Sequence, residues 1–256
     1  MKNFKKFLLT MAMTMALGTS AFAESGFEFL FQLAGGAGAA IPNKEAKDLG
    51  FGTGLSFDVD ISAQIGYMFQ VKEGFGISVL GELGYSWDLY LTGYGSGTLS
   101  SNTTGGVTTY TYEGEDGVNI SQYYHSFKLG LLPKFNIGFG GRHGLAIGIG
   151  GGVKIPVAGD YSMTIDTVGT SQVKEDVQSN TGIALKRKDI TDMFSPSVIG
   201  YMKVTFDYYL FFTDNIGMNF GLYLGGDFVP KMKEVKYGFN SFDIGLQLGF
   251  RFGPKA

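Results

Sequence analysis

The sequence of 256 residues contains no cysteine, which excludes a disulfide framework and a lipid anchor attached through cysteine. Charged residues are also scarce, at 17% of the chain against about 25% in an ordinary soluble domain. Proline is rare, with 6 residues, and there is a single tryptophan. Glycine (41 residues) and aromatic residues (15%) are abundant instead. The composition therefore differs from that of an ordinary soluble domain, although the length fits one domain.

The first 23 residues have the three parts of a secretory signal peptide. Lys2, Lys5 and Lys6 provide a positive start, residues 7–18 are largely apolar, and Ala21-Phe22-Ala23 is a small-x-small cleavage site. The apolar stretch is too short for a transmembrane anchor, since a spanning helix needs about 20 apolar residues. We expect residues 1–23 to be removed and residues 24–256 to form the mature domain.

Cleavage would remove three lysines and no acid, so the net charge would change from −3 to −6. This balance excludes a broad basic surface for nucleic acid and provides no polybasic patch for anionic lipid. No spacing of metal ligands is visible, and no cofactor is expected. The glycine-rich residues 148–154 lack the Gly-Lys-Ser/Thr ending of a phosphate-binding loop and precede no helical pattern, so they are interpreted as a strand.

The mature chain is dominated by long segments in which apolar and polar residues alternate. In residues 57–69 the odd positions are apolar or aromatic, and Asp58, Asp60, Ser62 and Gln64 lie between them. Such alternation over about 10 residues is typical of a transmembrane β-strand with one face toward lipid and the other toward the lumen. Eight segments show it: 27–34, 57–69, 75–89, 120–135, 144–156, 198–210, 216–225 and 241–252.

The connections between these segments alternate in length. The gaps at 70–74, 136–143 and 211–215 are short, whereas those at 35–54, 91–119, 157–196 and 226–240 are long. Short periplasmic turns and long outer loops are typical of outer-membrane barrels. The sequence therefore predicts an all-β fold, an antiparallel up-and-down transmembrane barrel of about eight strands with three short periplasmic turns and four long outer loops.

The same topology predicts rings of aromatic side chains at the two membrane interfaces, because amphipathic rings prefer the bilayer interface. Phe27, Phe69, Phe75, Phe135, Tyr208 and Phe252 would lie near the periplasmic rim, and Trp87, Tyr123 and Phe242 near the outer rim.

A secreted soluble barrel of the lipocalin type also has alternating strands, with the apolar face turned inward. The alternating runs here reach about 12 residues, longer than the usual 5–6 of soluble strands. The polar face is mainly glycine and serine rather than the Lys/Glu-rich face that water would favour. Both features favour the membrane barrel.

An eight-stranded barrel is just wide enough to be filled by side chains or to hold one small ligand. Because buried charges must pair, the mixed charges on the lumen parity predict an internal ion-pair network. The alternative is a narrow selective pore lined by the same groups. Glycines at 144, 148, 150, 152, 217, 221 and 225 would leave room for a cavity on one side. The predicted network consists of Asp58, Asp60, Glu82, Asp88, Lys128, Lys154, Lys203, Asp207, Asp243 and Arg251.

Some outer-membrane barrels are enzymes with His, Ser and Asp side chains at the outer rim. His125 beside Ser126 is the one candidate in this sequence, but adjacent strand residues point to opposite faces. The sequence therefore predicts no catalytic site and no enzyme.

Residues 243–252 alternate strictly and end on Phe252, which resembles the closing strand of bacterial outer-membrane barrels that the barrel-assembly machinery recognises. In that family the aromatic residue is usually the last one, whereas Gly-Pro-Lys-Ala follows here. The mature chain as a whole resembles the small eight-stranded outer-membrane proteins of the OmpA-barrel, OmpX and OmpW-like group.

The resemblance implies insertion into outer-membrane lipid and a role as surface adhesin, envelope-integrity protein or narrow channel. In OmpW-like members a path for hydrophobic ligands is proposed. We expect a structural and surface-interaction role carried by the outer loops, facing an extracellular ligand or host surface, because loops on a rigid scaffold commonly carry function. A narrow pore or small-ligand channel is the alternative.

Overall fold

The computed structural model describes residues 25–94, 97–104, 107–114, 117–167 and 177–256. The predicted signal peptide, residues 1–23, lies outside them. None of the described helices is both long and apolar enough to cross a membrane. In chain order the elements are β1 (Gly26–Pro42), α1 (Lys44–Asp48), β2 (Gly54–Lys72), β3 (Phe75–Tyr94), β4 (Gly97–Thr104), β5 (Val107–Gly114), β6 (Gly117–Leu131), β7 (Lys134–Phe139), β8 (His143–Thr167), β9 (Val177–Lys186), α2 (Arg187–Met193), β10 (Phe194–Ser195), β11 (Ile199–Phe211), β12 (Ile216–Phe228), β13 (Lys231–Met232) and β14 (Phe239–Phe252).

Antiparallel pairing closes these strands into a ring. The order is β1, β2, β3, β6, β8, β11, β12 and β14, and β14 pairs back onto β1 from Phe252 opposite Phe29 to Phe239 opposite Pro42. The short β7 continues the line of β6 past Pro133 and pairs with β3 and β8. With β6 and β7 counted as one, the wall has eight strands, which confirms the predicted barrel.

The two ends of the barrel differ as predicted. One end carries the turns at 73–74, 140–142 and 212–215, where Gly74, Gly140 and Gly141 adopt positive φ angles that other residues rarely tolerate. The opposite end carries the longer connections. Parts of the predicted outer loops are strands, however, since β1 extends to Pro42 and β8 to Thr167, and β4 pairs with β5. The apolar alternation fades in these parts, but backbone pairing does not depend on it.

The apolar face of the barrel points outward. From Ser241 to Phe252 on β14, buried polar residues or glycines alternate with exposed apolar side chains, and Asp243, Gln247 and Arg251 are at most 4% exposed. A lipocalin-type barrel would have the reverse arrangement. The outward residues of this strand, which are 41–67% exposed, are Phe242, Ile244, Leu246, Leu248, Phe250 and Phe252.

The nine residues of the predicted aromatic rings all have outward parity. Phe75, Trp87, Tyr123 and Tyr208 are half-buried among neighbouring side chains, and the other five are exposed. Phe69 and Tyr208 each lie four residues before a short turn, and Phe75 begins the strand after one. Their position at the membrane interfaces stays a prediction.

Because the apolar face of the barrel points outward, a charged residue placed on it should lower stability, and the loss should depend on its depth in the membrane. Ile61, near the middle of β2, is 42% exposed, and Val71, beside the short turn on the same strand, is 55% exposed. We expect Ile61→Arg to lower the free energy of unfolding by about 2–4 kcal/mol and Val71→Arg by about 0–1 kcal/mol, because the cost of arginine on the lipid face falls toward the interface. Urea titration of the protein refolded into vesicles measures both. Equal costs would contradict the assigned depth of β2.

Candidate functional site

The candidate site is the polar interior of the barrel. The structure places all ten charged residues of the predicted network there, each at most 7% exposed. Three further buried charges accompany them: Glu28, Lys134 and Asp227. Glu28 and Lys134 have lumen parity within the predicted strands, whereas Asp227 lies beyond the predicted end of its strand. The interior is built from charged layers that follow one another along the barrel axis.

The layer nearest the short turns is organised by Arg251 on β14. Its Nε lies 3.0 Å from Oε1 of Glu28, and its Nη1 donates to Oδ1 of Asn136 at 3.1 Å. Its Nη2 donates to the carbonyl oxygen of Pro254 at 3.1 Å, and the guanidinium lies 4.5 Å from the ring centroid of Tyr209. One fully buried arginine thus joins β1, β7, β11 and the segment after β14 across this end of the lumen.

The next layer is centred on Asp207 of β11. Its Oδ2 accepts from Nζ of Lys134 at 2.9 Å and from Oγ1 of Thr205 at 3.2 Å. Its Oδ1 accepts from Nε2 of Gln247. Both oxygens of this carboxylate therefore have partners. The buried apolar side chains of Leu30, Leu80 and Ala146 belong to a cluster that also includes Tyr209, so charged and apolar groups share this part of the lumen.

The central layer has Glu82 of β3 as its hub. Oε1 of Glu82 accepts from Nζ of Lys203 at 2.9 Å, and Oε2 accepts from the hydroxyl of Tyr201 at 2.7 Å. Nζ of Lys128 lies 3.7 Å from Oε1 of Glu82 and donates to Oδ2 of Asp60. Two lysines and two carboxylates from four different strands thereby cross the middle of the lumen.

The layer toward the long connections is organised by Lys154 of β8. Its Nζ donates to Oδ1 of Asp88 at 2.6 Å and to Oδ2 of Asp227 at 2.8 Å. Asp227 also accepts from the hydroxyl of Tyr90 at 2.8 Å. Two more carboxylates nearby are held by hydroxyl groups: Asp58 accepts from Tyr223, and Asp243 accepts from Ser56 and Ser241.

Neighbouring side chains fill the space beside two of the glycines that were predicted to line a cavity, Gly148 on β8 and Gly221 on β12. A Cβ at Gly148 would lie 2.5 Å from Oγ1 of Thr205, and one at Gly221 would lie 2.3 Å from Oδ1 of Asp207. Long side chains from neighbouring strands therefore occupy the space that the glycines leave. The charged layers instead border a cavity of about 20 Å³ lined by residues that include Asp58, Asp60 and Gly225, enough for about one water molecule.

An apolar cap covers the charged layers at the end with the long connections. Its buried members come from α1, α2, the connecting segments and the adjoining ends of the barrel strands, which are distant in sequence. Hydrogen bonds join these segments, since the backbone N–H of Asn43 donates to the carbonyl of Gly238 at 2.9 Å and that of Lys233 to the carbonyl of Met193 at 2.9 Å. The cap includes Ala46, Phe51, Leu185, Ile190, Phe194, Val229, Tyr237 and Phe239.

Tyr237 lies in this cap with its hydroxyl buried. Burial disfavours the charged phenolate, so the pKa of Tyr237 is raised well above its usual range. The phenol therefore stays neutral and contributes an uncharged surface to the cap.

His125 and Ser126, the one pair considered for catalysis, lie on opposite faces of β6. His125 points outward, where its Nδ1 is hydrogen-bonded to the hydroxyl of Tyr85 and its ring packs edge-on against Tyr123 at 5.6 Å. Ser126 is buried on the lumen side. Among the described residues, no group of three or more His, Cys, Asp or Glu side chains is arranged to hold a metal ion.

An eight-stranded antiparallel ring with an apolar outer face, a polar interior and short turns at one end defines an outer-membrane β-barrel protein. The model of the domain of unknown function DUF2715 matches residues 2–186, so the chain belongs to this family. The sequence matches no curated protein.

Several solved structures resemble the chain. The outer membrane protease OmpT from Escherichia coli is 8% identical, with 91% of this chain and 97% of that chain covered and a TM-score of 0.41. Neisserial surface protein A is 12% identical, covers 89% and 99% of the two chains, and has a TM-score of 0.36. The outer membrane protein OprG from Pseudomonas aeruginosa is 9% identical, covers 91% and 98%, and has a TM-score of 0.36.

Proposed function

We propose that this protein is a barrel with a closed lumen that acts through its outer surface, as a structural and surface-interaction protein. The observation that carries the proposal is the continuous filling of the interior. Charged layers centred on Arg251, Asp207, Glu82 and Lys154 follow one another, and the apolar cap lies above them. The cavity that borders Asp58, Asp60 and Gly225 holds about one water molecule, and such tight packing argues against a path for a solute.

The outer end offers a defined surface for such a role. Nδ2 of Asn43 donates to the carbonyl of Lys236 at 2.8 Å, and Nζ of Lys233 donates to the carbonyl of Thr191 at 2.7 Å, so three connections are tied together. The hairpin of β4 and β5 extends this end and pairs only within itself among the described strands. Export through residues 1–23, assembly by the barrel-assembly machinery and contact with an extracellular ligand or host surface belong to the same proposal.

The proposal predicts an electrically silent barrel. Residues 24–256, refolded and inserted into a planar lipid bilayer, should give no reproducible conductance steps, because the ion pairs and the cap fill the lumen cross-section. Folding and insertion are checked on the same sample by protease protection and by the shifted migration of the unheated protein in gel electrophoresis.

Reproducible steps from protein that passes these checks would contradict the closed lumen and support the narrow channel. The outer-surface role has its own control, a variant in which residues 97–114 are replaced by Asn-Gly. It should fold and stay silent, since this hairpin pairs with no barrel strand. Cells displaying it should attach less to immobilised extracellular matrix than cells displaying the intact protein; equal attachment would argue against a role for the hairpin.

A further inference from the structure

The lipid-facing wall carries an apolar groove that the lumen function does not use. It has a volume of about 500 Å³, within the range of about 300–1,000 Å³ typical of small-molecule sites. It runs across β7, β8, β11 and β12 to β14, toward the short-turn end of the barrel. The outward side chains that line it include Phe135, Leu145, Ile147, Phe206, Phe220 and Leu222.

A polar group lies at the short-turn end of this groove. Tyr208 lines the groove, and its hydroxyl is 2.6 Å from Nδ1 of His143, two residues before Leu145. The imidazole stacks between the rings of Phe139 and Tyr208, with centroid distances of 5.8 and 6.0 Å. When Nδ1 accepts the Tyr208 proton, Nε2–H remains as a donor. The groove is thus apolar along its length and polar at one end.

A positive charge adjoins the polar end. Arg142 occupies the turn directly before His143, and its carbonyl accepts the backbone N–H of Phe211 at 2.8 Å, which ties the turn to β11. Its side chain is exposed, and no described carboxylate forms an ion pair with it. Asp214, on the next turn, is paired with Lys255 at 3.0 Å. An unpaired guanidinium one residue from His143 in the chain, together with the Tyr–His pair, supplies the donors and the positive charge that a phosphate needs.

We propose that this groove is a binding site for an anionic phospholipid of the periplasmic leaflet. One acyl chain lies along the apolar groove, and the headgroup phosphate lies between Arg142 and the His143–Tyr208 pair. The leaflet follows from the position of the polar end beside the short turns, and the preference for a net negative headgroup follows from the unpaired charge of Arg142. The site requires a barrel in a membrane, but it does not depend on whether the lumen is closed.

Local fluorescence quenching tests the site. The single tryptophan, Trp87, is changed to Phe, and Phe220→Trp places a reporter in the groove. The protein is reconstituted in vesicles that mix phosphatidylcholine with phosphatidylglycerol, and one of the two lipids carries brominated acyl chains that quench nearby tryptophan. At this reporter phosphatidylglycerol should bind about five times more strongly than phosphatidylcholine, which is the difference expected for one basic residue facing an anionic lipid.

Two matched variants decide the outcome. Phe69→Trp in the same background reports a lipid-facing position on β2, also near the short-turn end but outside the groove, and should give a ratio of about one. Arg142→Gln with the Phe220→Trp reporter should lower the fivefold preference toward one. Equal ratios at both reporters, or a preference unchanged by Arg142→Gln, would overturn the proposal. If a reporter variant does not fold, native mass spectrometry of the unaltered protein and of Arg142→Gln compares retained phosphatidylglycerol directly, and equal retention overturns it.

Discussion

Replacing Glu82 with leucine should lower the free energy of unfolding by about 3–5 kcal/mol, because it removes one partner of a buried ion pair and leaves a charge uncompensated. Glu82 is 3% exposed and accepts from both Lys203 and Tyr201. Lys203, which has no other ion-pair partner within 4.0 Å among the described residues, would bear most of the cost. Urea titration of the protein refolded into vesicles, followed by intrinsic fluorescence, measures the change.

A double variant separates the cost of an orphaned charge from the value of the pair. Glu82→Leu combined with Lys203→Met removes both charges together and should recover most of the lost stability, since apolar replacement of a whole buried pair is often neutral. A double variant close in stability to the unaltered protein would show that the Glu82–Lys203 pair supplies little net stability. A double variant as unstable as the sum of the two single variants would contradict a direct interaction between Glu82 and Lys203.

Arg251→Met should cost about as much, roughly 3–5 kcal/mol, for the same reason at the other end of the lumen. The change would leave the carboxylate of Glu28, which is fully buried, without its cation, and would also remove the donors to Asn136 and Pro254. The same urea titration measures it. Glu28→Gln in the Arg251→Met background should restore part of the stability, because a neutral amide is cheaper to bury than an unpaired carboxylate.

Lys255→Met is the matched control at this end. Lys255 pairs with Asp214 at 3.0 Å, but the Asp214 side chain is 95% exposed. Exposed pairs contribute about 0–1 kcal/mol because water screens them, so this change should be nearly silent. If Arg251→Met were as mild as Lys255→Met, the Arg251 layer would be open to water, and the closed-lumen proposal would lose its support at the short-turn end.

Closure at both ends has different physical origins. At the short-turn end a single arginine reaches across the lumen, whereas at the outer end an apolar cluster from connecting segments and strand ends covers the charged layers. The two closures act independently, because opening either end alone would admit water only as far as the next charged layer.

The sequence by itself determined the class of fold. Side chains on a strand alternate with a period of two, so the pattern on residues 57–69 and 243–252 fixes which face meets lipid before any contact is known. The order of short and long gaps in turn gives the topology and the end at which the turns lie. The lumen parity of the ten charged residues follows from the same rule.

Only the tertiary structure shows which residues meet across the lumen, because the alternation rule does not give their partners. Parity gives the face of a residue but not the neighbour across the lumen, so the pairing of Lys154 with Asp88 and Asp227 depends on the closed ring. The glycines of β8 and β12 led to the prediction of a cavity because the sequence does not show which side chains lie opposite them. In the closed ring, Thr205 lies against Gly148 and Asp207 against Gly221.

The outer cap and the lipid-facing groove also could not be predicted from the sequence. Ala46, Ile190 and Val229 have no common period in the sequence, and only barrel closure brings their segments over one mouth. Likewise, His143 and Tyr208 meet at the end of the groove because β8 and β11 are neighbours in the ring. Local alternation is a property of each strand and can be seen in the sequence, whereas these sites arise from contacts between strands far apart in the chain, which form only when the ring closes.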